Sequence, residues 1–435
     1  MTMRLPQQFL DRMKTILGDE FDAFLSSYNE PPCVGIRVNP LKKPLSDFTA
    51  GLERVPWCAD GFYADKTTLS GKHPLHFAGA FYFQEPSAMA AAASIPINDG
   101  DVVLDLCAAP GGKATQAGAA LGGTGLLVAN EIVPRRADIL AENIERMGIA
   151  NAVVTNESPG RLAEKFPECF DKIIVDAPCG GEGMFRRDER AVTEWSAEHS
   201  RSCAERQKNI LSSAVKLLKN GGMLLYSTCT FAEEENEDNV RYLINEHGMT
   251  LLNIALDGVS RGINMAEAIR IYPHKSRGEG HFAALLQKNY GGENPLPQPK
   301  RTAAADAAME MYRKFESEAL NVRLEGTPCL FGDRLFLAHT DADRLKTPRP
   351  GLLLGECKKN RFEPSHALAS SLKIQDFKRT LSVGDDKAAS YLRGETLELC
   401  ENGFAAVTYD GLPLGWGKAS GGILKNRLPK GLRLR

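Results

Sequence analysis

Apolar runs in the middle of the chain stop repeatedly at small-residue turns and give way to helical periodicity. Val102, Val103, Leu104 and Leu106 predict a buried strand, Pro110, Gly111 and Gly112 punctuate it, and residues 114–121 continue as helix. A second apolar run, residues 125–131, ends in Glu131. Pro134 then opens a helix with Ile139, Leu140, Ile144 and Met147 at helical spacing, and Gly148 closes it. Residues 152–156 predict a third strand and residues 170–177 a fourth, followed by a helix over 201–218 with Leu211, Val215 and Leu218 on one face. Residues 222–229 predict a fifth strand, an acidic helix starts near Glu233, and residues 281–288 predict a final strand. Strands alternating with helices over residues 99–290 imply an α/β domain with a Rossmann-like, doubly wound, mostly parallel sheet.

The flanks read differently. Residues 1–98 form a cap region, helical at first and then extended over 34–44, where alternating apolar and basic positions suit an edge strand. Arg37, Lys42 and Lys43 there are weighed as RNA contacts against an ordinary solvated loop. Residues 76–90 are apolar and aromatic, favouring core over a base-stacking platform, and lead into an alanine-rich helix. Gly and Pro mark 290–300 as a linker, 303–320 as a helix follows, and together they occupy 291–325. Residues 326–435 are a small β-rich domain with hairpin turns at Gly332-Asp333 and Asp410-Gly411. Trp416, Lys418 and Lys425 in it suit RNA contact, although hairpin packing explains Trp416 equally well.

Composition narrows the class. Of 435 residues, 43% are hydrophobic and 25% charged, as in ordinary globular proteins. A net charge of −2 gives no global sign of nucleic-acid binding, so any such role rests on local patches. One patch is the tail carrying Lys425, Arg427, Lys430, Arg433 and Arg435 without an acid among them. No signal peptide or membrane span shows in residues 1–17, so a cytoplasmic protein is expected. The ten cysteines form no C-x-x-C pair and have no histidines at zinc spacing, so no metal is expected and most should be reduced core thiols.

The candidate chemistry lies at strand ends. Gly111 and Gly112 allow close backbone approach to a ligand, and the following helix presents unpaired N–H groups. Glu131 lies 26 positions after Asp105, the place from which an acid takes both hydroxyls of a ribose. With neither G-x-G-x-x-G nor G-K-[ST] present, a ribose-bearing cofactor without pyrophosphate fits better than a dinucleotide. Two further strand ends deliver cysteines, in Asp176-Ala177-Pro178-Cys179 and Ser227-Thr228-Cys229-Thr230. Paired thiols beside an aspartate suit methylation at carbon 5 of a pyrimidine, where a thiolate adding to carbon 6 makes carbon 5 nucleophilic. Asp176 would hold the cytosine N3/amino edge, and Lys113 would lower a thiol pKa.

C-A-A-P-G-G-K, N-E-I-V-P-R-R, D-A-P-C-G-G-E-G-M-F and S-T-C-T-F-A-E-E-E-N-E together resemble the Nol/Nop/Sun family of S-adenosylmethionine-dependent RNA cytosine-5 methyltransferases. R-V-N-P-L-K, Q-E-P-S-A-M and R-I-Y-P-H-K-S-R-G-E-G-H-F extend the likeness to both flanks. The resemblance implies a class I S-adenosylmethionine-dependent fold, Cys229 as nucleophile and Cys179 as the residue that helps release product. It also implies cofactor contacts at Cys107, Ala108, Ala109, Pro110, Gly111, Gly112, Lys113, Glu131, Arg136 and Asp176. G-L-P-L-G-W-G-K and L-K-N-R-L-P-K-G-L-R resemble the PUA-like RNA-binding extension of the bacterial RsmF-type enzymes, which methylate 16S ribosomal RNA. Gly180 departs from the family's usual serine, and Ser158 stands where many relatives have an adenine-binding aspartate, with Glu157 a candidate substitute. The expectation is a monomer that methylates 16S rRNA, with no membrane or metal partner. The alternatives are a transfer RNA cytosine-5 methyltransferase and a non-catalytic ribosome-assembly factor that binds RNA.

Overall fold

A computed structural model describes residues 5–42, 49–65, 69–359 and 361–434. Lys43 and Arg435, two of the basic positions noted above, lie outside them. In chain order the first twelve strands are β1 (Gly35–Val38), β2 (Gly61–Tyr63), β3 (Phe81–Phe83), β4 (Val102–Asp105), β5 (Leu126–Asn130) and β6 (Ala152–Thr155), then β7 (Phe170–Asp176), β8 (Leu218–Thr228), β9 (Thr250–Leu252), β10 (Ser260–Gly262), β11 (Met265–Ile271) and β12 (His281–Gln287). The central sheet runs β10-β11-β12-β8-β7-β4-β5-β6, with β9 also on β12. Neighbours from β8 to β6 are parallel, whereas β12 is antiparallel to β8. The fold is thus the expected mostly parallel sheet with helices on both faces.

The continuous apolar runs follow from that burial. Successive side chains of a strand point to opposite faces, so a strand covered twice needs apolar residues at every position. Val103, Leu127, Val154, Ile174 and Leu225 enter the core on one face. Their neighbours Leu104, Val128, Val153, Ile173 and Leu224 enter the core on the other.

The residues expected as an edge strand instead form the centre of a three-stranded sheet, with β2 on one side of β1 and β3 on the other. Arg37 is not an RNA contact but 1% exposed. Its guanidinium donates to Gln84 Oε1 at 2.9 Å and Thr115 Oγ1 at 2.7 Å, fastening this sheet to the helix Gly112–Ala120. Lys42 donates to the Ser370 carbonyl. Ile36, Phe62 and Phe81 share one core with Tyr391, Val407 and Leu414 from the C-terminal region. The N-terminal helices Gln7–Leu17 and Phe21–Ser27 pack elsewhere, with Phe9 and Phe24 against Phe185, Trp195 and Phe231.

The C-terminal region holds a four-stranded and a five-stranded sheet, and the helix Ala303–Ala319 packs on both. Phe331 pairs with Arg334, and Tyr409 with Leu412, across the two hairpin turns read from sequence. Trp416 is a core residue, 2% exposed, with Nε1–H donated to the Ser365 carbonyl at 2.9 Å. In the tail, Arg427 pairs with Glu363 at 3.4 Å and Arg433 donates to the Leu428 carbonyl, while Lys425 and Lys430 stay exposed. No helix among the described residues is long and apolar enough to cross a membrane.

One glycine marks how tightly the N-terminal sheet sits on the central domain. Gly79 has φ +71°, and a Cβ there would lie 1.9 Å from the Arg146 carbonyl oxygen. Asn39 Nδ2 spans the same contact, donating to Gly79 and Met147 carbonyls at 2.8 Å each. Gly79→Ala is expected to cost about 3 kcal/mol of stability, read as a lowered thermal midpoint; an unchanged midpoint would show that the docking is loose.

Candidate active site

Three parallel strands and one antiparallel strand bring the chemistry to one edge. β4 ends at Asp105, β7 at Asp176 and β8 at Thr228, while β12 enters there because Phe282 pairs with Thr228. The edge is also where strand order reverses, since β4 lies between β5 and β7. The turn after β4 is fixed by backbone bonds from Leu106 to Ile174 and from Ala108 to Asn130. Side chains of the helix Pro134–Arg146 hold its far end, Arg136 donating to the Ala109 carbonyl at 2.8 Å and Asn143 to that of Pro110 at 2.9 Å. Gly111, at φ +119°, opens the next helix in a conformation that favours glycine.

Cys179 and Cys229 converge, with their sulfurs 3.3 Å apart. The hydrogen bond to Cys229 and burial raise the Cys179 thiol well above its usual pKa. Asp176 accepts from Ser227 Oγ at 2.8 Å and pairs with Lys113 Nζ at 2.7 Å. Burial pushes this carboxyl up, but Lys113, His281 and these hydrogen bonds outweigh it and leave the pKa below its ordinary value. Lys113 Nζ also lies 3.3 Å from His281 Nε2. Its ammonium is therefore spent on Asp176 and His281, and among the described residues it makes no hydrogen bond to either sulfur. Lys113 is placed to act directly on Asp176, whose pKa it lowers.

A cleft of about 630 Å³ connects this cluster to the cofactor turn. Cys107, Ala109, Glu131, Ile132, Arg136, Pro159, Gly160, Asp176, Cys179 and Cys229 line it, and its size suits a nucleoside-bearing ligand. Glu131 is 4% exposed, accepts from the Val133 N–H at 2.9 Å and pairs with Arg136 at 3.4 Å. Ile132, 61% exposed, offers an apolar face beside it. Asp105 is fully buried at the end of β4. Burial, then repulsion from Asp176, pushes it up to about 8 against the pull of Lys113 and a hydrogen bond from the Cys107 backbone N–H. Small residues at the turn, an acid for hydroxyls and an apolar wall fit the expected cofactor. Near the end of β6, Ser158 caps its helix by accepting from the Arg161 N–H, and Glu157, the candidate substitute for the family's aspartate, accepts from the Lys346 N–H at 2.9 Å through one oxygen. Ile132, Pro159 and Gly160 line the cleft.

Two residues at the site carried no assignment from sequence. His281 is 6% exposed and lies 3.4 Å from Ser87 Oγ through Nδ1, and burial followed by Lys113 lowers it to about 4, leaving it neutral. The signal that could have found it was topological, since an antiparallel last strand starts at the edge where parallel strands end. Glu235 accepts from the Gly180 N–H at 2.9 Å, Ser200 Oγ at 2.6 Å and Gln207 Nε2 at 2.9 Å. Burial pushes it up to about 7 despite these donors. A Cβ at Gly180 would sit 2.9 Å from Glu235 Oε1, so the glycine makes room for the Ser200 hydroxyl on this carboxylate.

Comparison with known proteins agrees along the whole chain. Family profiles described as 16S rRNA methyltransferase RsmB/F, the N-terminal domain of 16S rRNA methyltransferase RsmF, the RsmF first C-terminal domain and the RsmF PUA domain match residues 92–287, 5–86, 314–372 and 378–434 respectively. The ribosomal RNA small subunit methyltransferase F of Vibrio vulnificus is 33% identical, with 98% of this chain and 97% of the relative aligned. The protein of the same name from Shewanella sp. strain ANA-3 is 32% identical over 99% and 97%. A methyltransferase homologue from Pyrococcus horikoshii superposes with TM-score 0.59 and 26% identity, covering 66% of this chain and 96% of its own. NSun6 from the same organism, solved with SFG, gives 0.61 at 24% identity over 67% and 100% and shows the shared fold. Because the likeness extends through both flanking regions as well as the central sheet, the chain belongs to the RsmF family of 16S ribosomal RNA methyltransferases.

Proposed function

We propose that the protein methylates carbon 5 of a cytidine in 16S ribosomal RNA in the cytoplasm, using S-adenosylmethionine and a covalent adduct between Cys229 and carbon 6. The observation that carries this reading is the pair of sulfurs 3.3 Å apart at the end of the cleft, beside an ionised Asp176. Glu131 would take the ribose hydroxyls of the cofactor, Ile132 its adenine face, and the turn from Cys107 to Gly112 its amino-acid end. S-adenosylmethionine, when bound, supplies an electrophilic methyl group.

The target base must leave its stack to reach the site. Asp176, held ionised by Lys113, accepts from the 4-amino group and stabilises a proton on N3, which draws electrons from carbon 6. Cys229 then forms the S–C6 bond and carbon 5 becomes the nucleophile. Once carbon 5 carries the methyl group, its proton passes to a solvent base, the C–H electron pair restores the C5–C6 double bond, and the Cys229 sulfur leaves with the S–C6 pair. A protonated Cys179 donates its S–H to that departing thiolate, the role to which its raised pKa suits it.

Bisulfite mapping of ribosomal and transfer RNA from cells with and without the gene tests the substrate. One or a few 5-methylcytosines are expected to vanish from 16S rRNA alone. Loss confined to transfer RNA would reassign the substrate, and an unchanged map would refute the reaction.

A further inference from the structure

We infer that Glu182 and Glu235 are positioning residues, each reaching from one cysteine loop into the other to set the spacing of the thiols, and that Arg12 brings the N-terminal helix into the same clamp. The inference rests on the two-thiol reading above and deepens it. Ladder pairing of β7 with β8 ends at Asp176 and Ser227, short of both cysteines. Backbone bonds continue only from Ala177 N–H to Ser227 and from Gly183 N–H to Cys229. Besides the contact of the two thiols themselves, two carboxylates cross-link the loops. Glu182, three residues after Cys179, accepts from the Phe231 N–H beyond Cys229 at 3.0 Å. Glu235, six residues after Cys229, accepts from the Gly180 N–H beside Cys179 at 2.9 Å. The two bonds run in opposite directions, so separating the loops breaks both.

Both carboxylates are fully buried, a costly arrangement unless every lone pair meets a donor. Glu182 also receives Trp195 Nε1–H at 2.8 Å and the Arg12 guanidinium, which pairs in addition with Glu234 at 3.6 Å. Glu235 receives Ser200 and Gln207, and Gln207 in turn donates to the Pro178 carbonyl at 3.0 Å. Glu182 meets N–H donors on both oxygens, whereas Glu235 meets the Gly180 and Gln207 N–H groups on one oxygen and the Ser200 hydroxyl on the other. A glutamine at 182 would turn an N–H₂ toward one of those donors, and an alanine at 235 would take the acceptor away from the Gly180 N–H and the Gln207 amide, so either change leaves buried donors unpaired and loosens the loops.

The test uses the full-length protein and a chemical ruler. Diamide joins two neighbouring thiols in a disulfide while taking up their two hydrogens as the hydrazine, and the Cys179–Cys229 peptide is followed by mass spectrometry. In Glu235→Ala and Glu182→Gln the cross-linking rate is expected to fall roughly tenfold and kcat about a hundredfold, with KM for 16S rRNA within about twofold of wild type. Arg12→Ala should move both readouts in the same direction and Arg12→Lys should restore most of each. Should Glu182→Gln lose its thermal transition, Glu235→Ala and Arg12→Ala decide the matter. Wild-type cross-linking in Glu235→Ala and Arg12→Ala, with or without a fall in kcat, would overturn the clamp. The ruler needs neither RNA nor cofactor, so it stands apart from the chemistry: methylation persisting in Cys229→Ala would sink the reaction and leave the clamp to its own result.

Discussion

Cys179→Ala is expected to turn the protein into a covalent trap for RNA, and Cys229→Ala to abolish methylation and trapping alike. The two sulfurs sit 3.3 Å apart and yet are expected to play unlike parts, because the Cys179 thiol holds its proton more tightly than an ordinary cysteine. Without Cys179 the S–C6 bond still forms, but the departing thiolate loses the S–H donor that stabilises it, and the adduct accumulates. Without Cys229 no bond to carbon 6 forms, and carbon 5 stays too electron-poor to be methylated. The loss should reach roughly 10⁴-fold, as for other covalent nucleophiles. Denaturing gels of each variant incubated with 16S rRNA and S-adenosylmethionine distinguish the outcomes. Trapping by Cys229→Ala with full loss in Cys179→Ala would exchange the two roles.

The second large effect is expected from Asp176→Asn. An amide cannot balance a proton on N3, and it leaves Lys113, whose side chain is 7% exposed, without its counter-ion. Formation of the adduct in a Cys179→Ala background should slow about 10³-fold while RNA binding, measured by filter retention, persists. The pH dependence follows from the direction of the shift. Because the folded pKa of Asp176 lies below the ordinary 3.8, its pairing with Lys113 stabilises the fold at every pH above that value and is lost only as pH falls through the lowered pKa. The activity of the wild-type protein near neutrality should therefore carry no acid limb from Asp176. Adduct formation at the wild-type rate in Asp176→Asn would remove this residue from the mechanism.

Much of the central fold was legible because a strand buried on both faces must be apolar at every position, and four such runs, β4, β5, β7 and β8, end at turns that line the cleft. The cysteines were legible for the same reason, as reactive groups placed where an apolar run stops. What local pattern could not convey was long-range partnership. Arg37 reads as a basic surface residue until Gln84 and Thr115, 47 and 78 positions away, are seen to meet its guanidinium. Trp416 sits in a short hairpin whose cover, Phe315 and Phe377, lies on other elements. β1 looks like an edge because nothing near it in sequence shows that β2 and β3 flank it. Ser158 stands where the family's aspartate is usual, and only the fold shows that it caps a helix and that Glu157 accepts from the Lys346 backbone. Nothing in the local pattern marks the acids at 182 and 235, since only the folded loops reveal that each one reaches across to the other loop.

The core shared by Ile36, Phe62 and Phe81 with Tyr391, Val407 and Leu414 joins the two ends of the polypeptide. On the translating ribosome the early half of that core emerges long before its complement has been synthesised. The nascent protein must therefore carry an exposed greasy sheet through most of its own elongation, and it seals only when the last segment is released. Shortening the chain from its C-terminus would leave that sheet permanently uncovered, so a truncated product should be a client of chaperones and proteases rather than a smaller enzyme.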